Sequence, residues 1–240
     1  MPLLTVADPR GNTLRLESAR IESTLISQLF EQVDVVKRND ATTQTVTAKL
    51  SQPSRIFNFS GHAWAERQPK QSALYLQGED RLTAEALCQL NLQTYELITL
   101  SACETAVTGL QTIESDYVGL VSAFLTAEAA NIISALWTVE SESNAWLMVK
   151  FYQHYIAGDS PAIALKKAQH WLRTLTYTDL ADWLQAQQNQ LNEQRHPGTY
   201  DAIAARIGDI QTEPAKINSA QPPYADPYYW AAFTVTGYPS

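Results

Sequence analysis

With two cysteines in 240 residues, Cys88 and Cys103, the chain has too little sulfur for a disulfide scaffold. Neither stands in a Cys-x-x-Cys or His-Cys metal spacing, so a reducing compartment is expected and a metal centre is not. Positive charge is also short: 17 Lys and Arg against 25 Asp and Glu give a formal net charge of -8 and a pI near 5.0. No Lys/Arg cluster offsets the deficit, so the basic stripe of nucleic-acid binders is missing. No apolar run approaches the ~18 residues of a membrane span. The start, Met1-Pro2-Leu3-Leu4-Thr5-Val6, has no basic stretch leading into a hydrophobic one. A soluble, cytoplasmic protein is expected, with neither nucleic acid nor membrane as partner. GxGxxG, P-loop and GxSxG strings are absent as well, which removes support for a bound nucleotide or a serine-hydrolase elbow. No cofactor is expected.

What is present is a 45% hydrophobic complement, ample for a core, arranged as short apolar runs alternating with helical stripes. Main strands are expected at Leu3–Ala7, Val33–Val36, Arg55–Ser60, Leu97–Ala102, Asn131–Trp137 and Tyr228–Gly237, with a small surface strand at Ala73–Leu76. Helical spacing marks Leu14–Val33, a segment from Thr42-Thr43 through Leu50, Leu82–Leu90, and Asp116–Ala129 behind a Ser115 cap. It continues in Glu142–Ile156, Pro161–Leu175, Thr178–Gln194 and Tyr200–Ile207. Ser160 followed by Pro161 is a clear helix start. Thr212–Pro227, rich in proline and small polar residues, reads as a loop. Strands alternating with helices mean an α/β fold, a mostly parallel sheet of about six strands flanked by helices on both faces. No repeat or linker divides residues 1–240, so one domain is expected.

Two strings carry chemistry, Phe59-Ser60-Gly61-His62 and Leu100-Ser101-Ala102-Cys103-Glu104-Thr105. Each follows a strand and opens into a loop at the carboxyl edge, where parallel sheets gather ligands. Adjacent strands would bring His62 and Cys103 together as base and thiol nucleophile. Gly61 would let the main chain approach a substrate, and backbone N–H groups of Gly61, Ala63 and Cys103 would serve an oxyanion. Glu104, Glu114 and Asp116 follow the cysteine, placed to recognise a basic side chain. Each feature has a plainer reading: Cys103 as a small buried core residue, His62 as loop polarity, and the acids as a solvated loop with Asp116 favouring a helix start. Cys88, within Ala86-Leu87-Cys88-Gln89-Leu90, reads as a helix filler.

Taken in order along the chain, the strings resemble the CHAT domain, a caspase-like cysteine peptidase family often found downstream of tetratricopeptide repeats, and bacterial members in particular. The resemblance rests on Leu16-Glu17-Ser18-Ala19 with Glu22, Ala41-Thr42, Phe59–His62, Pro69 with Ser72-Ala73-Leu74, Leu82-Thr83-Ala84 and Leu100–Thr105. It continues through Tyr117-Val118-Gly119-Leu120, Ala123-Phe124-Leu125, Ser134–Val139, Phe151-Tyr152, Ala164-Leu165, Ala168-Gln169, Trp171-Leu172-Arg173 and the closing Pro227–Phe233. It implies a caspase-like three-layer sandwich with His62 as base and Cys103 as nucleophile. Three positions depart from the family habit: Ala63 stands where glycine commonly follows the histidine, Glu128 where a turn glycine is usual, and Glu140 where aspartate is frequent. Ala63 would cost energy if that residue needed a positive φ.

The leading expectation is a caspase/separase-like cysteine endopeptidase that cleaves a protein partner in a regulatory or signalling role. A tetratricopeptide-repeat region or partner chain would supply its activating signal. Its rival is a non-catalytic or conditionally silent module that binds a peptide or partner protein. A third reading, an inert α/β scaffold, predicts a buried, unreactive Cys103.

Overall fold

The computed structural model describes residues 1–9, 17–64, 66, 68–102, 118–212 and 222–237. In chain order the elements begin β1 (Pro2–Ala7), α1 (Glu17–Ser27), β2 (Gln32–Val36), α2 (Thr43–Leu50), β3 (Ile56–Gly61), β4 (Ala63–Trp64), β5 (Ala73–Tyr75), β6 (Arg81–Thr83) and α3 (Ala84–Leu87). They continue with β7 (Leu97–Ala102), α4 (Val118–Thr126), β8 (Asn131–Ala135), α5 (Ser141–Ile156), α6 (Pro161–Thr174), α7 (Tyr177–Gln190), α8 (Pro197–Thr212), α9 (Pro227–Trp230) and β9 (Phe233–Gly237). The main sheet has six strands in the order β2-β1-β3-β7-β8-β9, parallel except for β9 against β8. β4, β5 and β6 form a separate small antiparallel sheet.

Period-2 alternation assigns each strand residue to one of two cores. Leu3, Ile56, Leu97 and Ile133 face a layer holding Ile21, Leu25 and Ile26 of α1 and much of α5 to α8. Leu4, Phe57, Ile98 and Ile132 face the layer holding Val46 and Leu50 of α2 with Leu120 and Phe124 of α4. All six residues of β3 are buried, as a strand covered on both faces requires. The three-layer α/β sandwich expected from the sequence is therefore the fold. Among the described residues no helix is long and apolar enough to cross a membrane.

Helix ends follow local chemistry. Thr42 caps α2 by accepting from the Thr45 N–H, and Thr176 with Asp179 forms a capping box on α7. The expected strand Tyr228–Gly237 is corrected: Asp226 accepts the Tyr228 N–H at 2.8 Å and Pro227 takes the first helical position, so 227–230 is a helical turn and pairing starts at Phe233. Helical spacing from Leu14 to Val33 likewise resolves into α1 and then β2, with residues 14–16 outside the described set. Ser115 and Asp116, expected to open α4, also lie outside the described residues, as do residues 213–221 of the expected loop.

Two of the departures from family habit have physical readings. Glu140 caps α5, its carboxylate accepting the Glu142 N–H at 2.9 Å and the Ser143 N–H at 2.7 Å. Glu128 sits at φ 74° in the turn from α4 to β8, a left-handed conformation that costs a non-glycine residue roughly 1–2 kcal/mol. Its carboxylate accepts from Gln93, but both groups are exposed. Glu128→Gly is expected to raise stability by about 1 kcal/mol, a gain of about 2–4 °C in thermal midpoint at this size.

Candidate functional site

Six residues of β3 and β7 pair in parallel register, ending at Ser60↔Ser101 and Gly61↔Ala102. In sequence, His62 follows the end of β3 and Cys103 follows the end of β7. His62 is 5% exposed, and its carbonyl accepts the Tyr75 N–H at 2.9 Å, which anchors it between the main sheet and the small one. Cys103, Glu104, Glu114 and Asp116 lie outside the described residues.

Gly61 is tightly enclosed at the end of β3. A Cβ there would fall 3.0 Å from both the Phe59 ring and the Pro9 ring, so a side chain would have to push these rings aside. Ala63 lies in β4 opposite Leu74 and is not among the residues with positive φ, so alanine carries no backbone penalty. Because Tyr75 bonds to His62, Ala63 and Leu74 form the non-hydrogen-bonded pair, and the Ala63 N–H points away from β5.

Beneath these tips the sheet turns polar on the α1/α5 side. After the apolar row Leu3, Ile56 and Leu97 comes Thr5, Asn58 and Thr99, then Ser60 and Ser101. The helices answer with Ser23 and Glu22 from α1 and with Asn144 and Tyr152 from α5. Thr99 Oγ1 donates to Asn58 Oδ1 at 2.7 Å, so its other bond, at 2.7 Å to Tyr152, is donated by the phenol. The Asn58 amide donates to Thr5 and Ser60, and the Asn144 amide donates to Ser101 at 2.8 Å. Ser60 and Ser101 then donate to Glu22, to Oε1 at 2.5 Å and to Oε2 at 2.7 Å.

Two donor chains thus end on one carboxyl group that is 1% exposed. Burial outweighs the two hydroxyl bonds and pushes Glu22 up to about 8. Burial likewise pushes the Tyr152 phenol up and keeps it a donor, against the bond to Thr99. Glu22 entered the sequence reading only as part of a family string. Two signals mark it: a lone acid on the apolar face of α1, and the matching spacings Ser60-x-His62 and Ser101-x-Cys103.

To one side, a cavity of about 290 Å³ opens at the carboxyl ends of β1 and β2, lined by Asp8, Arg20, Lys37 and Arg38 among others. Asp8, at φ 45°, pairs with Arg38 at 2.6 Å, and its N–H bonds to the Ser60 carbonyl at 2.8 Å. Among the described residues no group of three His, Cys, Asp or Glu is placed to hold a metal ion.

The raised Glu22 has a measurable consequence. A carboxyl group that holds its proton more tightly when folded stabilises the fold most below its ordinary 4.5, and that contribution is lost as pH rises to about 8. The slope reaches at most about 1.4 kcal/mol per pH unit in that window. Thermal melts across it are expected to show wild type losing stability relative to Glu22→Gln as pH rises. Parallel curves would mean that Glu22 ionises normally.

No curated protein matches the chain. Among solved structures, the complex of Porphyromonas gingivalis RgpB pro- and mature domains aligns with TM-score 0.50 at 12% identity, covering 98% of this chain and 47% of that one. The crystal structure of the Arg specific cysteine proteinase gingipain R aligns with TM-score 0.46 at 11% identity, covering 98% and 46%. This chain therefore spans less than half the length of either. The likeness to the RgpB complex is one of fold, a caspase-like sandwich. The sequence profile of the CHAT domain matches residues 1–238, and the chain belongs to the CHAT domain family.

Proposed function

We propose that this chain is a cysteine endopeptidase in which His62 is the base and Cys103 the nucleophile. The observation that carries the reading is the Gly61↔Ala102 pairing, which leaves the two residues next in line on adjacent parallel strands at the carboxyl edge. His62 would take the proton from the Cys103 thiol, and the thiolate would attack the scissile carbonyl carbon. As the C–N bond breaks, His62 would return the proton to the leaving amine, leaving a thioester on Cys103. Water then adds to the acyl carbon and restores the thiol. Backbone N–H groups of Ala63 and Cys103 are the proposed donors to the oxyanion, and the Ala63 N–H, which points away from β5, supports that role. The expected donor Gly61 instead turns its N–H toward β7 in the ladder, since the Ser60 carbonyl takes the Asp8 N–H on the β1 side.

The substrate would be a protein or peptide. Glu104, Glu114 and Asp116, a cluster of negative charge close behind the nucleophile in sequence, would favour a basic side chain before the cut. A tetratricopeptide-repeat region or partner chain would control activity, making the proteolysis regulatory.

The test is hydrolysis of a pooled fluorogenic peptide library by wild type, Cys103→Ala and His62→Ala. Activity is expected to fall by about 10²-fold or more in both variants, with Arg or Lys preferred before the cut. Absent hydrolysis together with slow alkylation of Cys103 would overturn this reading in favour of a peptide-binding module. Absent hydrolysis with fast alkylation would identify an enzyme that requires its partner.

A further inference from the structure

We propose that Glu22 is a positioning residue for the His62–Cys103 pair, its carboxyl group tying together the two strand ends that precede them. The inference rests on the peptidase reading above and adds a component that the two-residue scheme lacks. Ser60 and Ser101 face each other across the β3–β7 ladder, and each precedes a member of the pair by two residues. Both hydroxyls donate to the same carboxyl group, one to each oxygen. The spacing between the strand ends is thereby fixed from the α1 side as well as by the ladder.

Proton counting shows why a carboxylate suits this position. Each serine already accepts an amide proton, Ser60 from Asn58 and Ser101 from Asn144. Its single hydroxyl proton is therefore free to go to Glu22. An ionised carboxyl group accepts both. A protonated one must donate from one oxygen, so one of the two bonds reverses and one serine proton loses its acceptor. Gain of a proton therefore keeps both contacts but leaves one serine hydroxyl proton without this acceptor, so the ionised form ties the two strand ends more firmly.

The surroundings leave this equilibrium to Glu22 itself. Among the described residues, β3 and β7 present Ser60 and Ser101, and α5 presents Tyr152, held as a neutral phenol by burial. Thr5 of β1 meets Ser23 of α1, while Asp8 beyond the end of β1 is engaged by Arg38. α8 meets α1 at Arg20 and Thr24, through Gly198 and Thr199. Among the described residues no ionised neighbour contributes to the raised proton affinity of Glu22, which burial causes and the two serine bonds oppose.

The experiment is the rate of iodoacetamide alkylation at Cys103 across pH, resolved by peptide mass and referenced to Cys88 in the same molecule. The proteins compared are wild type, His62→Ala, Glu22→Gln, Glu22→Asp, Ser60→Ala and Ser101→Ala. The reading beneath the proposal requires a low-pKa thiolate at Cys103 that His62→Ala abolishes. Given that, Glu22→Gln is expected to shift the Cys103 profile above about pH 8, where wild-type Glu22 is ionised, with about a tenfold fall in rate there, and to leave the acidic range unchanged. Cys88 should react unchanged, and Glu22→Asp should recover part of the shift. If Glu22→Gln does not fold, the serine variants carry the test, since each deletes one hydroxyl and leaves the carboxyl in place. Profiles unchanged in all folded Glu22 and serine variants, with His62→Ala shifted, would overturn the positioning role alone. A wild-type Cys103 no faster than Cys88 and indifferent to His62→Ala would overturn the peptidase reading, and the proposal with it.

Discussion

Everything at the site depends on the alignment of β3 with β7, six residues in unbroken parallel register. Both strands are covered on both faces, where apolar pattern alone sets register weakly, because a one-residue slip exchanges one oily face for another. The polar rows remove that freedom. Moving β7 by one residue would turn Thr99 and Ser101 toward Phe57, Phe59 and Phe124, and would set Ile98 and Leu100 against Glu22 and Tyr152. Each hydroxyl or carboxyl group so stranded costs about 1–3 kcal/mol. Buried polarity, unfavourable to place, thus gives the central strands one alignment.

A second carboxylate organises the first turn of α5. Glu142 Oε1 accepts from the Trp146 indole at 3.2 Å, from Arg206 of α8 at 2.8 Å and from the Tyr224 hydroxyl at 2.7 Å. Burial, reinforced by the Glu142 charge, pushes the Tyr224 phenol up, so it remains a donor. Tyr224 leads into α9, whose Tyr228 carbonyl accepts from the Trp137 indole at 3.1 Å. The closing segment is therefore tied to the loop after β8, and β9 is delivered to the edge of the sheet. Glu22 joins strands to a helix, whereas Glu142 joins helices to the chain's last turn.

The main strands were legible because their signals are local: short β-branched and apolar runs bounded by turn residues, as in Leu97–Ala102 and Asn131–Ala135. Helix starts were legible wherever a cap and a proline coincide, as at Ser160-Pro161. At Asp226-Pro227 the same signal was outweighed by the aromatic run Tyr228-Tyr229-Trp230, which has strong strand propensity. There the cap prevailed, because Asp226 satisfies the first N–H of the turn. That β3 and β7 could pair was legible from their place among alternating strands and helices, while Cys103 itself lies outside the described residues. The role of Glu22 was not, since its partners lie 38 and 79 residues away and no local period encodes them. The backbone at Ala63 was likewise hidden, because a partner strand ten residues on decides it.

The two faces of the sheet differ in kind, and this bears on how the sequence can drift. On the α2/α4 side the contacts are hydrocarbon against hydrocarbon, Phe57 with Phe59 and Phe124 among them, and such layers absorb conservative exchanges by repacking. On the α1/α5 side the rows Thr5–Asn58–Thr99 and Ser60–Ser101 pair donors with acceptors, so a single substitution there leaves its partner stranded and is repaired only by a second. The apolar layers are open to gradual replacement, and the polar rows between them to change only in coordinated pairs.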